Sequence, residues 1–177
     1  MHRTPNSARQ FPVRDLSADD CAYVRSCIKR AHFRPMLKEC FSNSQKTLLY
    51  DEEKRLQYAE GIIPCTNGHG VHHAWLLIDG KVVDLTLRPA DVGMRVGVRK
   101  QNREQVDRAL AVIKRDRPNM PTKYVGFAFT HLEVFTRLQG DAWQGVLTTE
   151  EFEQAIAASS PRASNGGMQS KKSGEGR

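Results

Sequence analysis

His72–Leu87, "HHAWLLIDGKVVDLTL", is the stretch whose reading decides the fold. Two apolar runs flank Asp79-Gly80, a dipeptide favoured in two-residue hairpin loops because both positions tolerate positive φ. With those two residues as the loop, Ile78 pairs with Lys81, Leu77 with Val82, Trp75 with Asp84 and His73 with Thr86. Successive strand side chains alternate between faces. His73, Trp75 and Leu77 therefore share a face with Val82, Asp84 and Thr86, and Ala74, Leu76 and Ile78 share the other with Val83 and Leu85. A segment patterned for burial thus places a histidine and a carboxylate on one face, as diagonal neighbours with backbones about 7–8 Å apart. One hydrogen bond closes that gap, fixes the tautomer of the ring and favours its protonated form. His72 points the other way. The same bond also serves where two buried polar groups merely satisfy each other.

Working outward, the segments before the hairpin read as helices and a strand. "LSADDCAYVRSCIKRAHF" starts with Ser17 as N-cap and Asp19 and Asp20 in the first turn. Cys21, Val24, Cys27, Ile28 and Ala31 then recur at helical spacing, and Pro35 breaks the pattern. "KECFSNSQKTLLYD" reads as a second helix, starting at Lys38 or Cys40 and running to Tyr50. "LQYAEGIIP" reads as a strand ended by Pro64, and "CTNGHG" as a loop with a turn at Asn67-Gly68.

After the hairpin, "RPADVGMRVGVRK" is ambiguous, readable as loop with a short strand, and "REQVDRALAVIKRD" is an amphipathic helix. "TKYVGFAF" reads as a strand and "THLEVFTRLQG" as a helix that Gly140 caps. "TTEEFEQAIAASS" opens with a capping box of Thr148 and Glu151. The strands are joined by tight turns rather than helical crossovers, so the expected class is α+β with a small antiparallel sheet. Residues 1–14 are expected as an irregular arm, 15–158 as one domain, and 159–177, rich in Ser, Gly and Lys, as a disordered tail.

Composition bounds the function classes. Hydrophobic residues make up 39% of 177, enough for one modest core. No apolar run approaches the roughly 18–20 residues of a membrane span, and the N-terminus has no continuous apolar stretch of a secretory signal. A cytoplasmic location without membrane association is the default. The net charge of +7 and pI of 9.4 suit an anionic partner. Part of that excess lies in the tail, as Arg162, Lys171, Lys172 and Arg177, and no basic stripe interleaved with aromatics accompanies it. Nucleic-acid binding is supported by charge alone.

A His–Asp pair becomes chemically useful when a thiol or hydroxyl can reach it. Of Cys21, Cys27, Cys40 and Cys65, Cys40 is the best placed. It sits near a helix start, where unpaired N–H groups and the helix dipole favour a thiolate and supply oxyanion donors. Cys21 and Cys27 lie on an apolar helix face, and Cys65 follows Pro64 in a turn. Packing as a small core residue is the simpler role open to Cys40. Cys65, His69, His72 and His73 also form C-x3-H-x2-H-H, but opposed strand histidines and an unfamiliar spacing argue against a metal there. No cofactor is expected.

Read together, "KECFSNSQKTL", "YAEGII" and "HHAWLLIDGKVVDLTL" resemble a papain-like, transglutaminase-like group of small cysteine-hydrolase-fold proteins from bacteria and phages. The shared elements are Cys40-Phe41 with Asn43 opening a helix, Tyr58 with Glu60-Gly61 on a strand, His73-Ala74-Trp75 on the next, and Asp84 with Thr86. "YVGFAFTHLEVF" has the look of the segment that follows in such proteins. The resemblance spans residues 38–87, and the first 35 residues and the tail match nothing recognisable. It implies a papain-like fold with the Cys-bearing helix packed on the sheet. It further implies Cys40 as nucleophile, His73 as general base and acid, Asp84 as orienting carboxylate, and Asn43, Tyr58, Glu60 and Trp75 around the site, with Trp75 packing beneath it. The short His–Asp spacing departs from true transglutaminases and favours hydrolysis or deamidation of a peptide or protein amide over cross-linking. Two other readings stay open: a binding module on the same fold with these residues as core polar contacts, and a basic anion- or nucleic-acid-binding protein.

Overall fold

The computed structural model describes residues 7–64, 70–98, 121–138 and 143–160. Five strands form one antiparallel sheet: β1 (Arg9–Pro12), β2 (Leu56–Pro64), β3 (Gly70–Ile78), β4 (Lys81–Val83) and β5 (Lys123–Phe129), in the order β1-β5-β2-β3-β4. Among the described residues four α-helices accompany it: α1 (Ala18–Arg30), α2 (Cys40–Leu49), α3 (His131–Arg137) and α4 (Thr149–Ser159). The α+β class and the antiparallel hairpins are as the sequence indicates. No helix among the described residues is long and apolar enough to cross a membrane.

Local signals account for the helix starts. Ser17, Thr130 and Thr148 each cap a helix and form a capping box, with Asp20, Glu133 and Glu151 respectively. Asp20 does more than cap. Its buried carboxylate also takes Arg55 at 3.2 Å and Lys81 at 2.8 Å, tying α1 to β2 and to the β3–β4 hairpin. The Lys81 hydrogen bond is the largest of the effects that hold Asp20 below the usual carboxylate range. The hairpin turns at Asp79 and Gly80, with φ of 50° and 74°, and Ile78–Lys81, Leu77–Val82 and Leu76–Val83 pair as expected.

The sheet separates two apolar clusters. Ala74, Leu76, Ile78, Val83 and Leu85 pack with Tyr58, Ile62, Phe127 and Phe129 against α1, α2, α3 and α4. Phe11, Ala59, Ile63, Trp75, Leu77, Val82 and Tyr124 make a second cluster on the other face. Among the described residues no helix contributes to that second cluster, and the sheet curls so that its edge strands β1 and β4 approach each other beside it. β2 and β5 come close at a pair of glycines. Gly61 pairs with Gly126, and a Cβ on Gly61 would run into the Val125 carbonyl and the Gly126 Cα.

Three expectations are corrected. Residues 1–14 are not all irregular: Arg9–Pro12 forms the edge strand β1, held by the burial of Phe11 against Trp75 and by pairing with β5, a long-range gain that a four-residue segment does not advertise. The tail is not disordered from 159, since Ser159 closes α4. The strand β4 ends at Val83, so Asp84 and Thr86 do not pair with Trp75 and His73. Asp84 instead bends the chain, its Oδ1 accepting the N–H groups of Thr86 at 2.8 Å and Leu87 at 2.9 Å, a local side-chain turn that competes with the ladder. The helix expected over "REQVDRALAVIKRD", the Asn67-Gly68 turn, the Gly140 cap, Cys65, His69 and residues 161–177 lie outside the described residues.

Replacing Gly61 by alanine should cost about 1–3 kcal/mol, the range for overpacking a filled interior. Urea unfolding checks this: the midpoint falls while the slope with denaturant stays at its wild-type value.

Candidate active site

Helix α2 starts at Cys40 because the chain before it cannot be helical. Pro35 and Met36 are held extended against Gly97, Lys38 has a φ of 68°, and Glu39 is the N-cap. The Glu39 side chain makes no capping bond, so it does not occupy the first-turn N–H groups. Asn43, one turn on, is buried and holds this start in place. Its Oδ1 accepts the Met36 N–H at 2.9 Å, and its Nδ2 donates to the Met36 carbonyl at 2.8 Å and to Thr86 Oγ1 at 2.9 Å. The nucleophile candidate and the Asp84 turn are thereby fastened to each other.

His73 and Asp84 meet as their shared face predicts, with Nε2 of the ring 2.7 Å from Oδ2 of the carboxylate. Tyr124 donates to the same oxygen at 2.9 Å, so Asp84 has four partners and is fully buried. The Nε2 contact with Asp84 leaves Nδ1 as the ring's other nitrogen, and the Cys40 side chain is close enough to the ring to contribute to its raised pKa. Trp75 lies beneath the ring, nearly parallel to it at a centroid distance of 6.4 Å, and is completely buried.

The electrostatics follow from this packing. Burial opposes a charge on His73, but the Asp84 charge and hydrogen bond and the Cys40 contact outweigh it and raise the ring to about 10. Burial likewise opposes the Asp84 carboxylate, yet His73 and the Leu87 and Thr86 amides hold it below its usual value. Burial, then the Asp84 charge, push the Tyr124 hydroxyl far above the ordinary tyrosine range, so it remains a donor. At neutral pH the arrangement is a buried imidazolium–carboxylate pair with the Cys40 sulfur beside the ring.

Tyr58 and Glu60 occupy the opposite face of the sheet, with Ala74 and Leu76, and build a second polar network. The wholly buried Glu60 takes the Tyr58 hydroxyl at 2.7 Å, His72 Nε2 at 2.8 Å, and the N–H groups of Val146 at 2.8 Å and Leu147 at 3.3 Å. His72 and His73 thus point to opposite faces, as alternation requires, and each has its own carboxylate. Burial, then the Glu60 charge, hold Tyr58 well above the ordinary range, and the Cys40 sulfur is close enough to contribute to that shift.

The structure brings Cys40, His73, Asp84 and Asn43 together, with Trp75 beneath. It places Tyr58 and Glu60 on the far side of the thiol. Three partners were not foreseen in the sequence: Tyr124, Gln45 and the segment 143–147. Of these only Tyr124 carried a signal, since alternation along "KYVGF" turns it to one face of β5. Comparison with known proteins gives no match to any family model, curated protein or solved structure.

Because His73 is raised in the folded state, its contribution to stability is complete below the ordinary imidazole value of about 6.5 and is lost as pH rises toward about 10. Asp84 is lowered, so its contribution is present above about pH 4 and lost as pH falls through the folded value. Wild-type unfolding free energy should therefore decline from pH 6.5 to 10. Asp84→Asn should lose about 3–5 kcal/mol at pH 6 and lack that alkaline decline, as urea titrations at stepped pH would show.

Proposed function

We propose that the protein is a cysteine-dependent amide hydrolase of papain-like fold, acting through Cys40, His73 and Asp84. The observation that carries this reading is the convergence of a thiol at the first residue of a helix without side-chain cap, an imidazole close enough to feel that thiol, and a buried carboxylate bonded to Nε2 of the same imidazole. A structural His–Asp bond has no need of a helix-start sulfur beside the ring. The residues that carry the sequence resemblance are the same ones, which adds weight to a papain-like assignment.

In the reaction, the imidazolium of His73 stabilises the Cys40 thiolate. The thiolate sulfur bonds to the carbonyl carbon of the substrate amide, and N–H groups of the first turn of α2 receive the oxyanion. His73 gives its proton to the amide nitrogen as the C–N bond breaks, and an amine departs. Water, deprotonated by His73, then attacks the thioester, releases a carboxylic acid and returns the thiol. Asp84 holds the ring tautomer throughout. The substrate in this reading is a peptide or protein amide, met in the cytoplasm.

One observation favours a catalytically silent module instead: Cys40 is only 8% exposed. Alkylation with iodoacetamide at pH 7, followed by peptide mapping, separates the two. The hydrolase reading expects Cys40 to react at least about tenfold faster than the half-buried Cys21, the signal to vanish in Cys40→Ala, and the rate to fall about tenfold or more in His73→Ala. A Cys40 that reacts no faster than Cys21 in the folded wild type would leave only the silent module.

A further inference from the structure

Helix geometry sets what borders the thiol. Viewed down α2, successive residues advance by about 100°, so Asn43 lies on one side of Cys40 and Phe41 and Gln45 lie together on the other. Asn43 reaches the turn at Thr86. On the other side, Gln45 donates to the Gln144 carbonyl at 2.6 Å, and the Phe41 ring packs edge-on to His72 at 5.0 Å. The start of the nucleophile helix is therefore flanked by residues 84–86 on one side and by 144–147 on the other.

The segment 144–147 has no regular secondary structure of its own and is held by side chains. Glu60 supplies most of that hold, taking the Val146 and Leu147 N–H groups while Tyr58 and His72 fill its remaining positions. Arg137 adds a bond to the Val146 carbonyl at 3.3 Å. The fit is close: a Cβ on Gly145 would stand 2.7 Å from Glu60 Oε1, 3.2 Å from His72 Cε1 and 3.4 Å from Phe41 Cε1. A carboxylate with four donors is also hard to replace. The amide of glutamine would turn an N–H₂ donor toward two of the four donors that Glu60 now accepts.

We propose that residues 144–147 form the wall of the substrate cleft beside Cys40, and that Glu60 is the positioning residue that sets this wall and with it the discrimination among acyl chains. This rests on Cys40 being the nucleophile. An extended peptide that delivers a carbonyl to Cys40 passes between the 84–86 turn and this wall, so its side chain next to the scissile bond meets Gly145 and Phe41. A small reagent that needs only the thiol passes without touching the wall.

The test compares two reagents on the intact protein: iodoacetamide, and a set of N-acyl dipeptidyl chloromethyl ketones with glycine, leucine or phenylalanine beside the reactive carbon. Both alkylate the sulfur with loss of halide. The readout is the ratio of peptidyl to iodoacetamide rate constants at Cys40, with amide exchange at Val146 and Leu147 measured in parallel. In Glu60→Gln the two amides should lose protection, and the ratio should shift by about tenfold or more for at least one side chain. Gly145→Ala, whose Cβ would press on Glu60 Oε1 and His72 and so displaces the wall while keeping the Glu60 carboxylate, should shift the ratio the same way and covers the case in which Glu60→Gln does not fold. An unchanged ratio with the amides deprotected overturns the wall and leaves the nucleophile standing. Retained protection in folded Glu60→Gln overturns the positioning role. A wild-type Cys40 inert to both reagents removes the nucleophile assignment, and this proposal with it.

Discussion

The arrangement around the thiol depends on the four hydrogen bonds to Asp84. An isolated carboxylate at this depth would be too costly to keep ionised. Two donors come from its own turn, at Thr86 and Leu87, and these arrive with the local backbone conformation at little further cost in order. The other two come from His73 and Tyr124, on strands distant in sequence. One carboxylate therefore ends β4, locks the turn, joins β3 to β5 across the enclosed face, and keeps a positive imidazole where burial alone would neutralise it. Removing it would leave the His73 ring and the Tyr124 hydroxyl buried without their acceptor.

The curl of the sheet explains how so small a domain affords two polar networks a few residues apart. A flat five-stranded sheet would need a second layer over each face. Here the edges approach each other on one side, and among the described residues aromatic and aliphatic side chains of the strands and their flanks fill that side. The four described α-helices pack on the other face, where α2 lies against β3 and carries Cys40 at its start. The glycine pair at 61 and 126 lets β2 and β5 cross at a separation that any side chain would forbid. Gly61 also pairs with His73 in the ladder, so this crossing lies level with the imidazole.

Much of this was written in short-range pattern. The Asp79-Gly80 turn set the register, the register set the faces, and the faces put His73 and Asp84 together; the apolar clusters divide along the same alternation. The helix caps at Ser17 and Thr148 were legible for the same reason, each being decided within four residues. What escaped the sequence is long-range. Nothing within "RQFP" reveals that Phe11 will find Trp75, and nothing in β2 reveals that Glu60 will find the Val146 and Leu147 amides 86 and 87 residues on. The Asp84 turn was missed for another reason: the strand pattern continues through Leu85, and only a preference of the carboxylate for nearby N–H groups stops it.

The two adjacent histidines bring these strands of argument together. Alternation sends His72 and His73 to opposite faces of β3, and each recruits a buried carboxylate with four donors. Asp84 fastens the ring that faces the thiol, while Glu60 fastens the segment that borders it. Neither carboxylate could do the other's task, because a strand residue serves one face only. A slip of one residue in the β3 register would exchange the two rings and separate both carboxylates from their partners. The pressure on register is therefore polar as well as hydrophobic, since the slip would strand two charges in the interior as well as turning Trp75 and Leu77 out of their enclosure. That double penalty is a sufficient physical reason for a nine-residue strand to hold a single pairing beside a flank, β4, only three residues long.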